Sequence, residues 1–126
     1  MKHITKADIE KVLLDNIELR STQNKLCIPI INRLYLKMLI GIKFPEIKVA
    51  EDLIIDGHHR YVASLLSDFK IGRIPSVKTI AAVVTSWSKV ELVEEDWDTK
   101  AKIEMLNKQD ADYNNIAVER IIELLK

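Results

Sequence analysis

The sequence predicts a single α+β domain of 126 residues. Apolar residues recur at helical spacing in several segments, and short apolar or alternating runs between these segments are typical of strands. The chain contains only three glycines and three prolines, and most of them lie between the predicted elements. An apolar fraction of 48% with 30% charged residues is typical of a globular protein, and a chain of this length can bury a core.

Two helices are predicted in the first third of the chain. The segment Thr5-Lys6-Ala7-Asp8 resembles a capping box, and apolar residues follow it at helical spacing: Ile9, Val12 and Leu13. Residues 17–25 are polar and predict a loop. Pro29 suits the first turn of a second helix, and Gly41 is expected to end that helix. The apolar stripe of that helix contains Ile31, Leu34, Tyr35 and Met38.

The middle of the chain predicts two strands, a helix and a third strand. Residues 46–49 alternate after a proline, whereas residues 53–55 are apolar throughout, as expected of a central strand. A helix follows Gly57 and should end near Gly72. Residues 74–77 begin another extended segment.

The last third predicts two strands and two helices. Residues 80–84 and 90–93 have the composition of strands joined by a polar turn. Asp98 is a good N-cap for a helix that runs to about Gln109, and a final helix begins near Asn115. One domain over residues 1–126 is expected, with a core over about 17–85 and an acidic strand-helix-helix extension over about 86–126.

The charge balance limits the classes of partner. Nineteen basic and nineteen acidic residues cancel, so the net charge does not support nucleic-acid binding. Residues 88–126 contain six Lys or Arg and ten Asp or Glu, whereas residues 1–87 contain thirteen and nine. The basic part favours a phosphate-bearing ligand. The acidic part either contacts a basic protein partner or is a solvated surface.

Cysteine content and hydropathy limit the cellular compartments in which the protein is expected. Cys27 is the only cysteine, so an intramolecular disulfide or a thiolate zinc cluster is excluded, and its apolar neighbours predict a buried thiol. No apolar run is long enough to span a bilayer or to act as a signal peptide. We therefore expect a cytoplasmic protein without membrane contact.

The segment from Leu53 to Ser64 contains the strongest functional signal. A short strand, an Asp-Gly turn and the residues His58, His59 and Arg60 precede an amphipathic helix. A helix N-terminus presents unpaired N–H groups and the positive end of the helix dipole, and it suits an anion. Gly57 permits a sharp turn and close approach of a ligand. The arginine matches phosphate, and the imidazoles are further donors or a base.

Other interpretations of these residues remain open. Adjacent histidines diverge by about 100° on a helix, so we do not predict a metal site there. One imidazole is expected to face the ligand and the other to pack within the fold. Asp56 caps the helix, accepts from Arg60 or a histidine, or acts as a base. The acidic run 94–98 binds a cation or a basic partner, or is a solvated turn. Trp87 and Trp97 are core anchors or partner contacts.

The pattern from about Tyr35 to Lys78 resembles the ParB/sulfiredoxin superfamily. The resemblance covers about a third of the chain and centres on residues 54–63, Ile-Ile-Asp-Gly-His-His-Arg-Tyr-Val-Ala. It implies a small mixed sheet flanked by helices, with a helical C-terminal extension. In that family the equivalent of Gly57 to Arg60 holds nucleotide phosphates. The Asp-Gly-His-His-Arg form is most similar to ParB-like free serine kinases and to related, uncharacterised ParB-like proteins.

His58 separates this chain from two members of the superfamily. Partition proteins usually have glutamate at its position, and sulfiredoxin has a catalytic cysteine there, so sulfinic-acid repair is excluded. The resemblance implies ATP or another nucleoside triphosphate as cofactor, with Mg²⁺ bridging phosphates. His58 and Asp56 are then the catalytic candidates. The residues that would bind the nucleotide are Gly57, His58, His59, Arg60 and Arg20.

Three functions follow from the sequence and the resemblance. The first is nucleotide binding with phosphotransfer or hydrolysis, in which Arg60 and a histidine stabilise charge on the phosphoryl group. The second is a non-catalytic ParB-like module that contacts a protein or nucleic acid, for instance in a toxin–immunity, plasmid or phage system. The third is a nuclease, for which no set of metal-binding carboxylates is evident.

Overall fold

A computed structural model describes residues 3–15, 18–80 and 82–126 as a mixed α+β protein. Its elements in chain order are α1 (Lys6–Asp15), β1 (Lys25–Cys27), α2 (Ile28–Leu39), β2 (Ile47–Ala50), β3 (Leu53–Asp56), α3 (His58–Ser67), β4 (Arg73–Pro75), a 3₁₀ turn (Trp87–Lys89), β5 (Glu91–Val93), α4 (Lys100–Tyr113) and α5 (Val118–Leu124). No helix in the described ranges is long and apolar enough to cross a membrane.

The strands form two small sheets. The first has the order β3-β2-β4, with β2 antiparallel to β3 and parallel to β4. The second pairs β1 with β5 in parallel. The prediction that residues 53–55 form a central strand is wrong, because β2 is the middle strand and β3 has only an isolated bridge to Arg20 on its other side. Leu53 and Ile54 are nevertheless fully buried, which explains their apolar character.

One core joins both ends of the chain. The helices α1, α2 and α3 contribute much of it, and residues of the acidic extension are equally buried in the same cluster: Val90, Leu92, Ala111 and Ile121. Trp87 donates its indole N–H to the carbonyl of Leu19 at 2.8 Å and stacks on Tyr61. Residues 86–126 are therefore packed into the fold rather than appended to it.

Several local predictions are confirmed. Thr5 and Asp8 form the reciprocal hydrogen bonds of a capping box, at 3.0 and 3.2 Å. Pro29 lies in the first turn of α2, and Gly41 follows that helix with φ of 92°. The strands predicted at 46–49, 74–77 and 90–93 correspond to β2, β4 and β5 within one or two residues.

Other local predictions are wrong at their boundaries. The N-cap of α4 is Thr99 rather than Asp98, and α4 continues to Tyr113, beyond the predicted end. The helix α3 ends before Asp68, which takes a left-handed conformation with φ of 56°. The strand predicted over 80–84 is absent at residues 80 and 82–84, and residue 81 lies outside the described residues. The first residue of the predicted loop 17–25 also lies outside them, and Lys25 begins β1.

Candidate functional site

The segment Asp56 to Arg60 lies where β3 meets α3, as predicted. Gly57 occupies the N-cap position with φ of 98°, a conformation that residues with a Cβ rarely adopt. A Cβ at this position would lie 2.5 Å from Cγ2 of Ile47 and 2.9 Å from Nη2 of Arg60. The glycine is therefore required both by the turn and by the close packing beneath it.

The N-terminus of α3 opens on a cavity of about 660 Å³. Side chains of α2 and α4 form much of its wall, and the Phe44–Pro45 segment contributes another part. A cavity of this volume accommodates a ligand of nucleotide size. The charged residues of the lining are Arg33, Lys37, Asp56, Arg60, Asp98, Lys102 and Asp110.

The first turn of α3 has no side-chain cap. Neither Asp56 nor Gly57 provides a hydrogen bond to it. Of the roles left open for Asp56, the structure shows acceptance from Arg60 rather than capping. The first N–H groups of a helix have no partner within the helix, and they give its N-terminus a partial positive charge. The N–H groups of residues 58–60 thus suit an anion in the adjoining cavity.

His58 is buried, with 2% of its surface exposed. Its Nε2 atom accepts a hydrogen bond from the backbone N–H of Thr22 at 3.0 Å, so a neutral ring carries its proton on Nδ1. The Nδ1 atom is buried without a hydrogen-bond partner among the described residues. Burial lowers the pKa of His58 from 6.5 to about 4, with a further decrease from His59 and an opposing effect of Asp56.

His59 also accepts a hydrogen bond from the backbone. Its Nε2 atom receives the N–H of Cys27 at 2.9 Å, and its ring contacts Trp97 edge to face at 5.6 Å. Burial lowers the pKa of His59 from 6.5 to about 4, and Asp98 opposes the decrease. Both imidazoles are therefore neutral at pH 7 and hold the chain around β1. Both residues also line the cavity, and the expectation that one of the imidazoles faces a ligand stays a prediction.

Arg60 connects the turn to the segment before β2. Its Nη1 donates to the carbonyl of Pro45 at 2.8 Å, and its Nη2 lies 3.4 Å from Oδ2 of Asp56. The Arg60 side chain is 19% exposed and that of Asp56 is 63% exposed. Nη1 also lies 3.4 Å from the carbonyl oxygen of Glu46. Arg60 and Asp56 both line the cavity, and Asp56 is an accessible carboxylate there.

Arg20 is not part of this cavity lining. It forms a two-pronged ion pair with Asp52 at 2.6 and 2.8 Å on an exposed surface. The structure therefore brings together four of the five predicted nucleotide-binding residues and leaves Arg20 apart from them.

Three basic residues of the cavity were missed by sequence reasoning. Arg33 and Lys37 are four residues apart on α2, and Lys102 lies in the first turns of α4. The four-residue spacing places the first two on one face of a helix, and this is the signal that could have found them. The contribution of α4 depends on tertiary packing that no local pattern reveals.

The acidic run 94–98 is partly engaged within the protein. Asp96 and Asp98 both accept hydrogen bonds from Arg33, at 2.6 to 3.0 Å. Within residues 3–15, 18–80 and 82–126, no group of three or more His, Cys, Asp or Glu side chains is arranged to hold a metal ion. Trp87 is a core anchor, whereas Trp97 is 47% exposed.

Comparison with known proteins identifies no relative. No family model, no curated protein and no solved structure matches the chain.

Proposed function

We propose that the protein binds a nucleoside triphosphate through its phosphates, in the cavity at the N-terminus of α3. The observation that carries the proposal is an uncapped helix N-terminus that opens on a nucleotide-sized cavity with four basic residues in its lining. The resemblance of residues 54–63 to the phosphate loop of the ParB/sulfiredoxin superfamily supports the same location.

The two neutral imidazoles are consistent with this role. A charged histidine in the first turn would interact unfavourably with the positive end of the helix dipole. Because His58 and His59 are neutral at pH 7, the positive potential of the turn comes from the N–H groups and from Arg60. A phosphate then gains hydrogen bonds from the backbone and from a guanidinium fork.

The basic residues that α2 and α4 contribute to the cavity lining suit the rest of a phosphate chain. Lys102 is exposed on α4 and lines the cavity, and the structure records no ion pair for it among the described residues. Mg²⁺ would be carried by the phosphates themselves, since the described residues form no cation site of their own. The function proposed is therefore phosphate recognition, with the metal brought by the ligand.

Turnover places different demands on the site. A base must approach the attacking group, yet Nε2 of His58 is occupied by the Thr22 N–H. Asp56 is the accessible carboxylate at the cavity, so a transfer or hydrolysis step would fall to Asp56. Release of inorganic phosphate from ATP, lost in Asp56→Asn, would extend the proposal from binding to catalysis.

Calorimetric titration with ATP, CTP and ADP, with and without Mg²⁺, tests the binding proposal. We expect Lys102→Ala to weaken nucleotide binding about tenfold, because one charge-assisted contact to phosphate is lost. The matched control is Lys108→Ala, an exposed lysine of the same helix that lies outside the cavity lining, and it should bind like the unmodified chain.

Arg60→Ala gives a second test of the same proposal. It should abolish nucleotide binding, and it also removes the hydrogen bonds to the carbonyls of Pro45 and Glu46, so its fold must be checked by circular dichroism. The proposal is overturned if no nucleotide binds the unmodified chain, or if Lys102→Ala and Lys108→Ala bind equally well.

A further inference from the structure

Two basic residues of the cavity are held by carboxylates from the acidic C-terminal part. Arg33 binds Asp96 at 2.6 Å and Asp98 at 3.0 Å, and Lys37 binds Asp110 at 2.7 Å. Both basic residues lie on one face of α2, and Arg33, Lys37, Asp98 and Asp110 all line the same cavity as the N-terminus of α3.

These ion pairs are substantially buried. The side chain of Lys37 is 5% exposed and that of Asp110 is 16% exposed, whereas Arg33 and Asp98 are 24% and 10% exposed. A buried ammonium or guanidinium requires an anionic partner, because a charge without one is strongly destabilising. The partner can be a carboxylate or a phosphate, since both present oxygens of similar charge and spacing to the same donors.

We propose that Arg33 and Lys37 form a second anion subsite, specific for the distal phosphates of a polyphosphate chain, and that Asp98 and Asp110 occupy it until such a ligand binds. The proposal rests on the proposed function. It narrows the ligand class to molecules with two or more linked phosphates, because one phosphate would occupy the N-terminus of α3 and another the Arg33–Lys37 face of α2.

The helix that carries Asp110 has a small apolar anchor. Ala111 is the only residue of α4 that is buried, and the other thirteen are exposed or half-buried. Asp96 and Asp98 precede α4 in a segment without strand or helix. Carboxylates on such elements can leave their partners at lower cost than carboxylates fixed in the core.

The exchange has a predictable effect on affinity. Ligand phosphates replace the carboxylates at Arg33 and Lys37, and the released carboxylates return to water. The apparent affinity for the ligand is the intrinsic affinity multiplied by the fraction of molecules in which no carboxylate occupies the subsite. Neutralising a carboxylate should therefore strengthen polyphosphate binding, whereas a purely structural tether would leave it unchanged or weaken it.

Titration of ATP into Asp110→Asn and Asp98→Asn tests the proposal. We expect ATP to bind at least about fivefold more tightly to each variant, in the range of intramolecular coupling effects. The matched control is Asp112→Asn, which lies on the same helix outside the cavity lining and should bind within about twofold of the unmodified chain. Equal or weaker binding by both cavity variants overturns the proposal.

Two further variants cover the case in which Asp110→Asn or Asp98→Asn does not fold. Asp96→Asn removes a partner of Arg33 that is 35% exposed, and it should also bind ATP more tightly. The double variant Lys37→Met/Asp110→Leu removes one buried pair together, and the preference for ATP over AMP should fall at least about fivefold in it. A preference that stays unchanged overturns the second subsite.

The outcomes separate this inference from the proposed function. If nucleotide binding requires Lys102 but the affinity for ATP does not rise in the carboxylate variants, the second subsite is refuted and the proposed function stands. Absence of nucleotide binding to the unmodified chain and to every folded variant refutes both.

Discussion

Gly57 and the two histidines after it determine the structure of the turn. The glycine has φ of 98° and packs on Ile47. The histidine rings accept hydrogen bonds from the backbone N–H groups of Thr22 and Cys27. The histidine side chains thus hold neighbouring segments, while the residues of the same turn line the cavity. Arg60 also has both roles. Its Nη1 donates a hydrogen bond to the carbonyl of Pro45, and its side chain lines the cavity.

Gly57→Ala should lower the free energy of unfolding by about 3 kcal/mol, from left-handed backbone strain and from overpacking against Ile47. Gly41→Ala is the matched control, because Gly41 has a similar φ of 92° but a Cβ added there would meet nothing within 4 Å. The free energy of unfolding should fall by only about 1 kcal/mol in Gly41→Ala. Urea denaturation measures both values, and equal losses would show that the Ile47 contact has no effect.

The histidines predict a loss of stability in mild acid. The pKa of each falls from 6.5 to about 4 on folding, so between these values the unfolded chain binds more protons than the folded one. Stability is therefore complete above about pH 7 and decreases as the pH falls. The loss should reach about 1–2 kcal/mol for each ring by pH 5.

Urea denaturation between pH 7.5 and pH 5 measures this loss. His59→Gln offers an amide oxygen to the Cys27 N–H without titrating, so about half of the pH dependence should disappear. A free energy of unfolding that is constant over this range would contradict neutral, hydrogen-bonded imidazoles.

The location of the motif could be predicted from the sequence, whereas the roles of its side chains could not. A glycine between a strand and a helix is a local pattern, and it placed residues 56–60 correctly at the start of α3. The neutral state of His58 depends on burial and on Thr22, which is 36 residues away in the chain. Arg20 was assigned to the site by resemblance, yet it pairs with its neighbour in space, Asp52.

Among the elements, an ion pair joins α4 to α2. The pair Lys37–Asp110 is buried, whereas Arg120–Glu123 on α5 is 58% and 73% exposed. A buried pair and an exposed pair respond differently to loss of one partner, because only the buried cation is left without solvent.

Asp110→Ala should therefore lower the free energy of unfolding by about 3 kcal/mol, and the exposed control Glu123→Ala by less than about 0.5 kcal/mol. Lys37→Met/Asp110→Leu should recover most of the loss, since it removes both charges. Thermal and urea unfolding of the three variants provide the comparison. A double variant that is as unstable as Asp110→Ala would contradict the role assigned to the unpaired lysine.

Helices were easier to predict than strand partners for a physical reason. Capping boxes and four-residue spacing are local, so α1 and α2 appear in the sequence near their true limits. Strand pairing is non-local, and the three residues of β1 form a strand only because β5 lies beside them. The apolar run at 80–84 lacks such a partner at residues 80 and 82–84, where no strand forms.

In the molecule as a whole, ion pairs join the basic part of the chain, residues 1–87, to the acidic part, residues 88–126. Basic residues of the first part meet acidic residues of the second at Arg33, Lys37 and Lys25. The core cluster includes buried residues from both parts as well. The division into a core at 17–85 and an extension at 86–126 therefore describes composition rather than separate packing.

A fragment of residues 1–85 should not fold. It lacks β5, the Trp87 hydrogen bond to Leu19 and four buried residues of the main core. Circular dichroism and urea titration should show no cooperative transition in the fragment, in contrast to the full chain. A cooperative transition in the fragment would show that residues 17–85 form a core of their own.

We propose that the N-terminus of α3 binds the phosphates of a nucleotide. The most direct measurement is a titration of ¹⁵N-labelled protein with ATP, followed through the backbone amide resonances. We expect the largest shifts at His58, His59 and Arg60, which line the cavity in the first turn of α3, and loss of those shifts in Arg60→Ala. Saturation by ATP without a change at these three resonances would contradict the claim, as would the absence of any response up to millimolar nucleotide.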